Sequence, residues 1–282
     1  MSRPARCWGV YRELAHSPGR ETDDAEILRA TAAELEKHGL AVTLKTPDEL
    51  PAAEDFRNVP PSLFVMCERV EVVEKLAGWE ARGLRVVNRP SGIRNTDRER
   101  TLALFSAGRV PYPRTVLVET ASPAAFEGPC WVKRGDVHAT EPGDVAHCAD
   151  PAALARNLVR LSERGIARAI VQEHVAGDLV KFYGVAGLED DARPSWFQWF
   201  YHRDQKLSNH PFDRDALAAA TSRAAAALGL EVYGGDAIVS PGGRLTVIDL
   251  NAWPSFALFR PVAAARIAAL LAARFSSAGV IR

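Results

Sequence analysis

The run Val247-Ile248-Asp249-Leu250-Asn251-Ala252-Trp253-Pro254 is apolar apart from one carboxylate and one carboxamide, set two residues apart and followed by a proline stop. An apolar run of this length reads as a buried strand. Side chains at i and i+2 of a strand leave the same face, so Asp249 and Asn251 point together and offer only oxygen donors. Upstream, Tyr233-Gly234-Gly235-Asp236-Ala237-Ile238-Val239 reads as a partner strand, and Ser240-Pro241-Gly242-Gly243 as the turn between the two. Pairing across that turn brings Asp236 beside Asp249. Three hard oxygen ligands, Asp236, Asp249 and Asn251, suit Mg²⁺, which binds carboxylates together with phosphate oxygens. A capped strand with a solvated Asp and an Asx-turn Asn would use the same residue types. The convergence of three donors favours the metal.

Cations precede this hairpin in the chain. Lys133 stands at the exit of an apolar strand, before Arg134-Gly135, where it can neutralise phosphate charge. Lys181 stands in the strand-like run Asp178 to Val185, after Gly177. Between them, Val171-Gln172-Glu173-His174-Val175 runs from a strand into a loop and can offer backbone N–H and C=O groups to a planar base. Arg203 and Lys206 follow the aromatic run Trp196 to Tyr201, itself read as a buried strand rather than a stacking platform. Ser17, Gly19 and Arg20 lie in the loop after the first strand, where a plain surface turn competes with acceptor contacts.

Elements that could position these residues are legible in the periodicity. The first ninety residues alternate strand and helix. Cys7 to Tyr11 is a strand. A helix follows from near Asp23, with Glu26 three residues on as a capping box and Gly39 as the stop. Strands are expected at Ala41 to Leu44, Leu63 to Cys67 and Arg85 to Asn88, with a helix through Val72, Leu76 and Trp79. Repeated βα units imply a mostly parallel sheet. Strands resume at Thr115 to Val118 and Cys130 to Lys133, and Asp150-Pro151 starts a helix as N-cap and first helical residue. An alanine-rich helix from about Asp213 to Leu228 precedes the metal hairpin, and another helix follows Pro261.

Bulk properties narrow the function classes. The 282 residues carry 35 Lys+Arg against 35 Asp+Glu, a formal net charge of zero, which argues against a general nucleic-acid or acidic-lipid surface. The four cysteines, Cys7, Cys67, Cys130 and Cys148, form no CxxC and read as buried thiols in a reducing, cytoplasmic setting. No apolar run approaches membrane-spanning length.

In order and spacing these residues resemble the ATP-grasp enzymes over roughly residues 90–260. The resemblance rests on Asp97-Arg98, on Lys133, on a hinge like Gln172-Glu173-His174-Val175, and on Asp249-Leu250-Asn251 with Pro254 and the earlier Asp236. It implies an α/β (α+β) chain: a Rossmann-like βα pre-ATP-grasp domain (1–93), a central lobe (94–168) and a C-terminal lobe with the metal site (169–282). It implies ATP and Mg²⁺ as cofactors. Nucleotide contacts would come from Arg98, Lys133, Gln172, Glu173, His174, Val175 and Asp178, and metal contacts from Asp236, Asp249 and Asn251.

Two branches of the superfamily are resembled. Asp97-Arg98, His138 five residues after Lys133, and Val180-Lys181-Phe182-Tyr183 are similar to the inositol trisphosphate 5/6-kinases. The second His of that branch is replaced by Gly143. Val86-Val87-Asn88-Arg89-Pro90, Gly177-Asp178 and the overall length are similar to carboxylate–amine ligases of the RimK and glutathione synthetase type. The kinase-like reading is the leading expectation, with Lys133, His138, Lys181 and Arg203 as catalytic groups. Arg20, His138, Lys181, Lys206, Asn251 and Ser255 would bind a small anionic substrate. The ligase is its alternative, and a nucleotide-binding module without turnover the third. The expected partners are that substrate alone, without nucleic acid or membrane, on a monomer or homodimer. The segment 135–144 replaces the usual glycine-rich phosphate loop and holds Asp136, Glu141 and Asp144, which would repel ATP if they faced it.

Overall fold

A computed structural model describes residues 4–122, 125–135, 141–188 and 193–276. Three four-stranded sheets organise them. The first contains β1 (Arg6–Val10), β2 (Ala41–Lys45), β3 (Ser62–Val65) and β4 (Arg85–Val87), all parallel in the order β2-β1-β3-β4. Crossovers α1 (Glu21–Lys37) and α2 (Val70–Glu80) make this the expected βα unit. On α1 the buried positions Asp24, Ile27, Leu28, Thr31, Ala32 and Leu35 repeat at three and four residues, one face of a helix. The helix opens two residues before the capping box expected at Asp23. Its first turn holds Glu21, Asp23 and Asp24 against the dipole, without a side-chain cap at Arg20.

The chain then passes α3 (Pro90–Arg94) and α4 (Arg98–Ala107) into the middle sheet. This comprises β5 (Thr115–Glu119), β6 (Cys130–Arg134), β7 (Val145–Cys148) and β8 (Arg168–Glu173), antiparallel in the order β5-β8-β6-β7. Its core, with Val132, Cys148, Leu158 and Val171, packs on α5 (Pro151–Glu163), capped by Asp150 accepting from the Ala153 amide. Strand β8 pairs with β5 and β6, so it belongs here and not, as a boundary at 168/169 would have it, with the C-terminal lobe. Strand β7 has no counterpart among the expected elements. Only four residues long, it has one buried position, too little pattern to show in sequence.

The third sheet holds β9 (Asp178–Val185), β10 (Trp196–Tyr201), β11 (Val232–Val239) and β12 (Leu245–Ala252), antiparallel in the order β10-β9-β11-β12. Helix α6 (Arg214–Leu228), capped by Asp213, and α7 (Arg260–Ser276) cover it. The first and third sheets share their cores. Leu63, Val65 and Leu76 cluster with Val180, Phe182 and Val247, while Ile27 and Leu35 of α1 cluster with Ile267 and Leu271 of α7. Asn88 links them further. Fully buried, it donates to the Val232 carbonyl (2.6 Å) and accepts from the Glu231 and Val232 amides (2.8 and 2.9 Å). The middle sheet has a separate core, and its Lys133 Nζ comes within 3.5 Å of the Ile248 carbonyl of the third. All four cysteines are free and buried, and among the described residues no helix is long and apolar enough to cross a membrane.

Candidate active site

Register in the third sheet sets the site. Asp236 of β11 lies opposite Lys181 of β9 on one side and Asp249 of β12 on the other. One row across three strands therefore carries a cation and two carboxylates, with neighbouring Cβ atoms roughly 5 Å apart. The next row on that face holds Tyr183, Gly234 and Asn251. A bulge follows, since Ala237 pairs with Val247 and Ile248 is left over. Bulges re-aim a strand beside a site, and here the Ile248 carbonyl is 3.5 Å from Lys133 Nζ. Gly235 is required, because a Cβ there would meet the Asp249 carbonyl oxygen at 2.2 Å.

The electrostatics follow from this crowding. Burial holds the Asp236 carboxyl above the usual carboxylate range; Lys181 opposes that and Asp249 adds to it. Lys181 Nζ donates to both Asp236 oxygens, at 2.8 and 3.2 Å. Lys133 Nζ donates to Gln172 Oε1 at 2.8 Å, and burial lowers its pKa against the pull of Asp249. Arg98 donates to the Arg134 carbonyl (2.8 Å) and thereby stands beside the same strand. Among the described residues no three His, Cys, Asp or Glu side chains cluster as metal ligands. The donor set is two carboxylates and the Asn251 carboxamide, all hard oxygens, and it fits a Mg²⁺-type ion.

On the far side of Asp236 opens a cavity of about 770 Å³ between the loop after β1 and the third sheet. Arg20, Lys181, Arg203, Asn251 and Ser255 line it, and so do Tyr183 and Phe200. Lys206 is exposed and does not line it. His138 lies outside the described residues.

Asp178 and the hinge amides depart from expectation. Asp178 is buried, and its oxygens accept from the Ser208 and His210 amides at 2.7 and 2.9 Å. It anchors the loop after Arg203, and those amides hold its pKa low although burial pushes upward. The backbone amides of Glu173 and His174 are also already used, donating to the Arg114 and Pro129 carbonyls, so a base would find neither free. Two of the three acidic residues of the 135–144 segment are paired with arginines. Asp144 is buried between Arg134 (3.3 Å) and Arg164 (2.7 Å), and Glu141 pairs with Arg164 (3.1 Å); Asp136 lies outside the described residues.

Sequence reasoning missed Arg12 and Tyr112. Arg12 reaches across from the first sheet to the Ala252 and Trp253 carbonyls at 3.0 and 2.8 Å, fixing the turn beyond Asn251. Burial, and after it Asp249, pushes the Tyr112 hydroxyl up to about 12. Neither stands in a strand or helix pattern that could flag it.

No protein-family model matches the sequence, and no curated protein matches it. Solved structures do align along the whole chain. A RimK domain ATP-grasp protein from Sphaerobacter thermophilus superposes with a TM-score of 0.67 at 20% identity, covering 95% of this chain and 99% of that one. The ATP-grasp ligase PsnB, complexed with a minimal precursor, Mg and ADP, gives 0.67 at 18% identity over 98% and 99%. D-alanyl-alanine synthetase A from Vibrio cholerae gives 0.70 at 10% identity over 99% of both chains. The chain has the ATP-grasp fold.

Proposed function

We propose that this protein is an ATP-dependent carboxylate–amine ligase. Mg²⁺ at Asp236, Asp249 and Asn251 would screen the phosphates of ATP and direct the terminal phosphoryl group. Lys133 and Arg98 would neutralise the nucleotide from the side of the middle sheet. The acid occupies the 770 Å³ cavity that meets the row at Asp236. A carboxylate oxygen attacks the terminal phosphorus and ADP leaves, giving an acyl phosphate. An amine then attacks the carbonyl carbon, loses a proton and expels phosphate, leaving an amide. Arg203 and Arg20 supply positive charge on the cavity wall for the carboxylate and the departing phosphate.

The observation that carries this reading over the kinase-like one is the state of the cavity's cations. A phosphorylated polyol presents several negative charges and needs several open cations. Lys181 is committed to Asp236, Lys206 is outside the cavity, and Arg12 is held by Asp24 and Glu68. Asp23, Asp24 and Asp204 line the same wall. That balance suits an acid of low charge and an incoming amine. The structures on which the chain superposes are a ligase, a synthetase and a RimK domain protein, which supports the same choice.

The test is ATP turnover with a panel of carboxylic acids in the presence of hydroxylamine. Acyl phosphates are trapped as hydroxamates, whereas phosphate monoesters are not. ATP-dependent hydroxamate is expected. A stable phosphate monoester formed from a hydroxyl compound, with no hydroxamate from any acid, would return the assignment to a kinase.

A further inference from the structure

We propose that the acid taken by this site carries an apolar end, aromatic or branched, and that Phe200 and Leu258 select it. The proposal rests on the ligase reading and names the substrate class of the same cavity. Register supplies the first observation. Phe200 of β10 lies opposite Lys181 of β9, which lies opposite Asp236 of β11. The row that begins at Asp249 and Asp236 therefore continues over Lys181 to a phenyl ring. All four side chains leave one face of the sheet. Two strand spacings, about 10 Å, separate Phe200 from Asp236. Lys181 between them is turned onto Asp236, so the path along the row ends at the ring without crossing an open charge.

The end of the row is an apolar corner of the cavity. Phe200 packs on Tyr183 at 5.4 Å between ring centroids and on Phe259 at 6.1 Å, and Tyr183 and Phe259 are 6.3 Å apart edge to face. These contacts fix the Phe200 ring and leave it half-buried on the cavity wall. Leu258 joins it from the turn after β12 and keeps 59% of its surface exposed on the same wall. That turn is held by two left-handed residues other than glycine, Trp253 (φ 39°) and Phe256 (φ 50°), both fully buried. Their anchoring leaves Leu258 outside the core, facing the cavity. Apolar surface of this kind gains when a ligand removes it from water. The acid's carboxylate belongs at the metal end of the row, beside Asp236, so its body runs along the row to this corner. A second carboxylate at that end would lose hydration against a ring and a leucine. An apolar group there covers both.

Two measurements on the full chain test this, with 3-phenylpropanoate as the apolar probe and glutarate and acetate as controls. Calorimetry reads binding without turnover, and ATP-dependent hydroxamate formation reads kcat/KM for each acid. The phenyl acid is expected to bind more tightly than either control and to give the highest kcat/KM. Phe200→Ala removes the ring and should lower the kcat/KM ratio of 3-phenylpropanoate to acetate roughly five- to thirtyfold. Leu258→Ser, at an exposed position, should lower the same ratio, and Phe200→Leu should retain most of it. A wild-type preference for glutarate or acetate overturns the proposal, while the hydroxamate formed keeps the ligase reading. Failure of 3-phenylpropanoate to bind overturns it too, as does a ratio unchanged in Leu258→Ser or in a folded Phe200→Ala. If no acid yields hydroxamate and a hydroxyl compound yields a phosphate monoester, the ligase reading falls and the apolar end with it.

Discussion

Replacing Lys133 by Met should weaken nucleotide binding and leave the fold as stable as before. Lys133 Nζ donates to Gln172 Oε1 at 2.8 Å and makes a long approach to the Ile248 carbonyl at 3.5 Å. Its pKa lies below that of an ordinary lysine because burial disfavours the charged form more than Asp249 favours it. For a lysine that sign means the charge costs stability at neutral pH. Methionine keeps the stem's volume and removes that cost, at the loss of one hydrogen bond worth about 1 kcal/mol. The two effects oppose, so the thermal midpoint should stay within about 3 °C of wild type. Binding behaves differently. A charge-assisted contact to phosphate is worth about 1.5–3 kcal/mol, so the ATP dissociation constant should rise roughly ten- to a hundredfold. Calorimetry with ATP and a thermal melt without it give both readouts. Unchanged ATP affinity refutes the role given to Lys133. A midpoint lowered by about 10 °C or more would instead mark it as a structural ion-pair partner.

Other substitutions probe the metal row and the two buried anchors. Asp249→Asn and Asn251→Ala should each abolish Mg-dependent ADP release while the far-UV circular dichroism stays native; full turnover at saturating Mg²⁺ in both would remove the metal assignment. Asn88→Ala deletes three buried hydrogen bonds to Glu231 and Val232 and should cost about 3–5 kcal/mol in urea unfolding; a loss under about 1 kcal/mol would show that the first and third sheets do not depend on it. Asp178 has a folded pKa below its unfolded value of about 3.9, so its contribution is full above that value and is lost as pH falls through the lower, folded one. Hydrogen exchange of the Ser208 and His210 amides should therefore stay protected at pH 5 and lose protection in strong acid, whereas Asp178→Ala, costing about 2–4 kcal/mol, removes the protection at pH 5 as well; amides equally protected in the variant would contradict the anchor.

What the sequence reveals and what it hides divide along one physical line. Side-chain direction within a strand is fixed by the backbone, so Asp249 and Asn251 fall on one face before any fold is known, and the turn at 240–243 brings Asp236 opposite Asp249. Contacts between elements far apart in the chain obey no such rule. Lys181 reads as an open cation in sequence because nothing local says that β9 lies beside β11, yet that neighbour is what turns Lys181 onto Asp236. Asp178 reads as a nucleotide ligand because it follows Gly177 at the hinge, and it is instead claimed by amides thirty residues later. The Asp236, Asp249 and Asn251 set is thus readable because it is built from neighbours on two adjoining strands. The charge of the cavity wall is not, because which of its cations are already neutralised, as Lys181 is by Asp236, is a property of the assembled sheets alone.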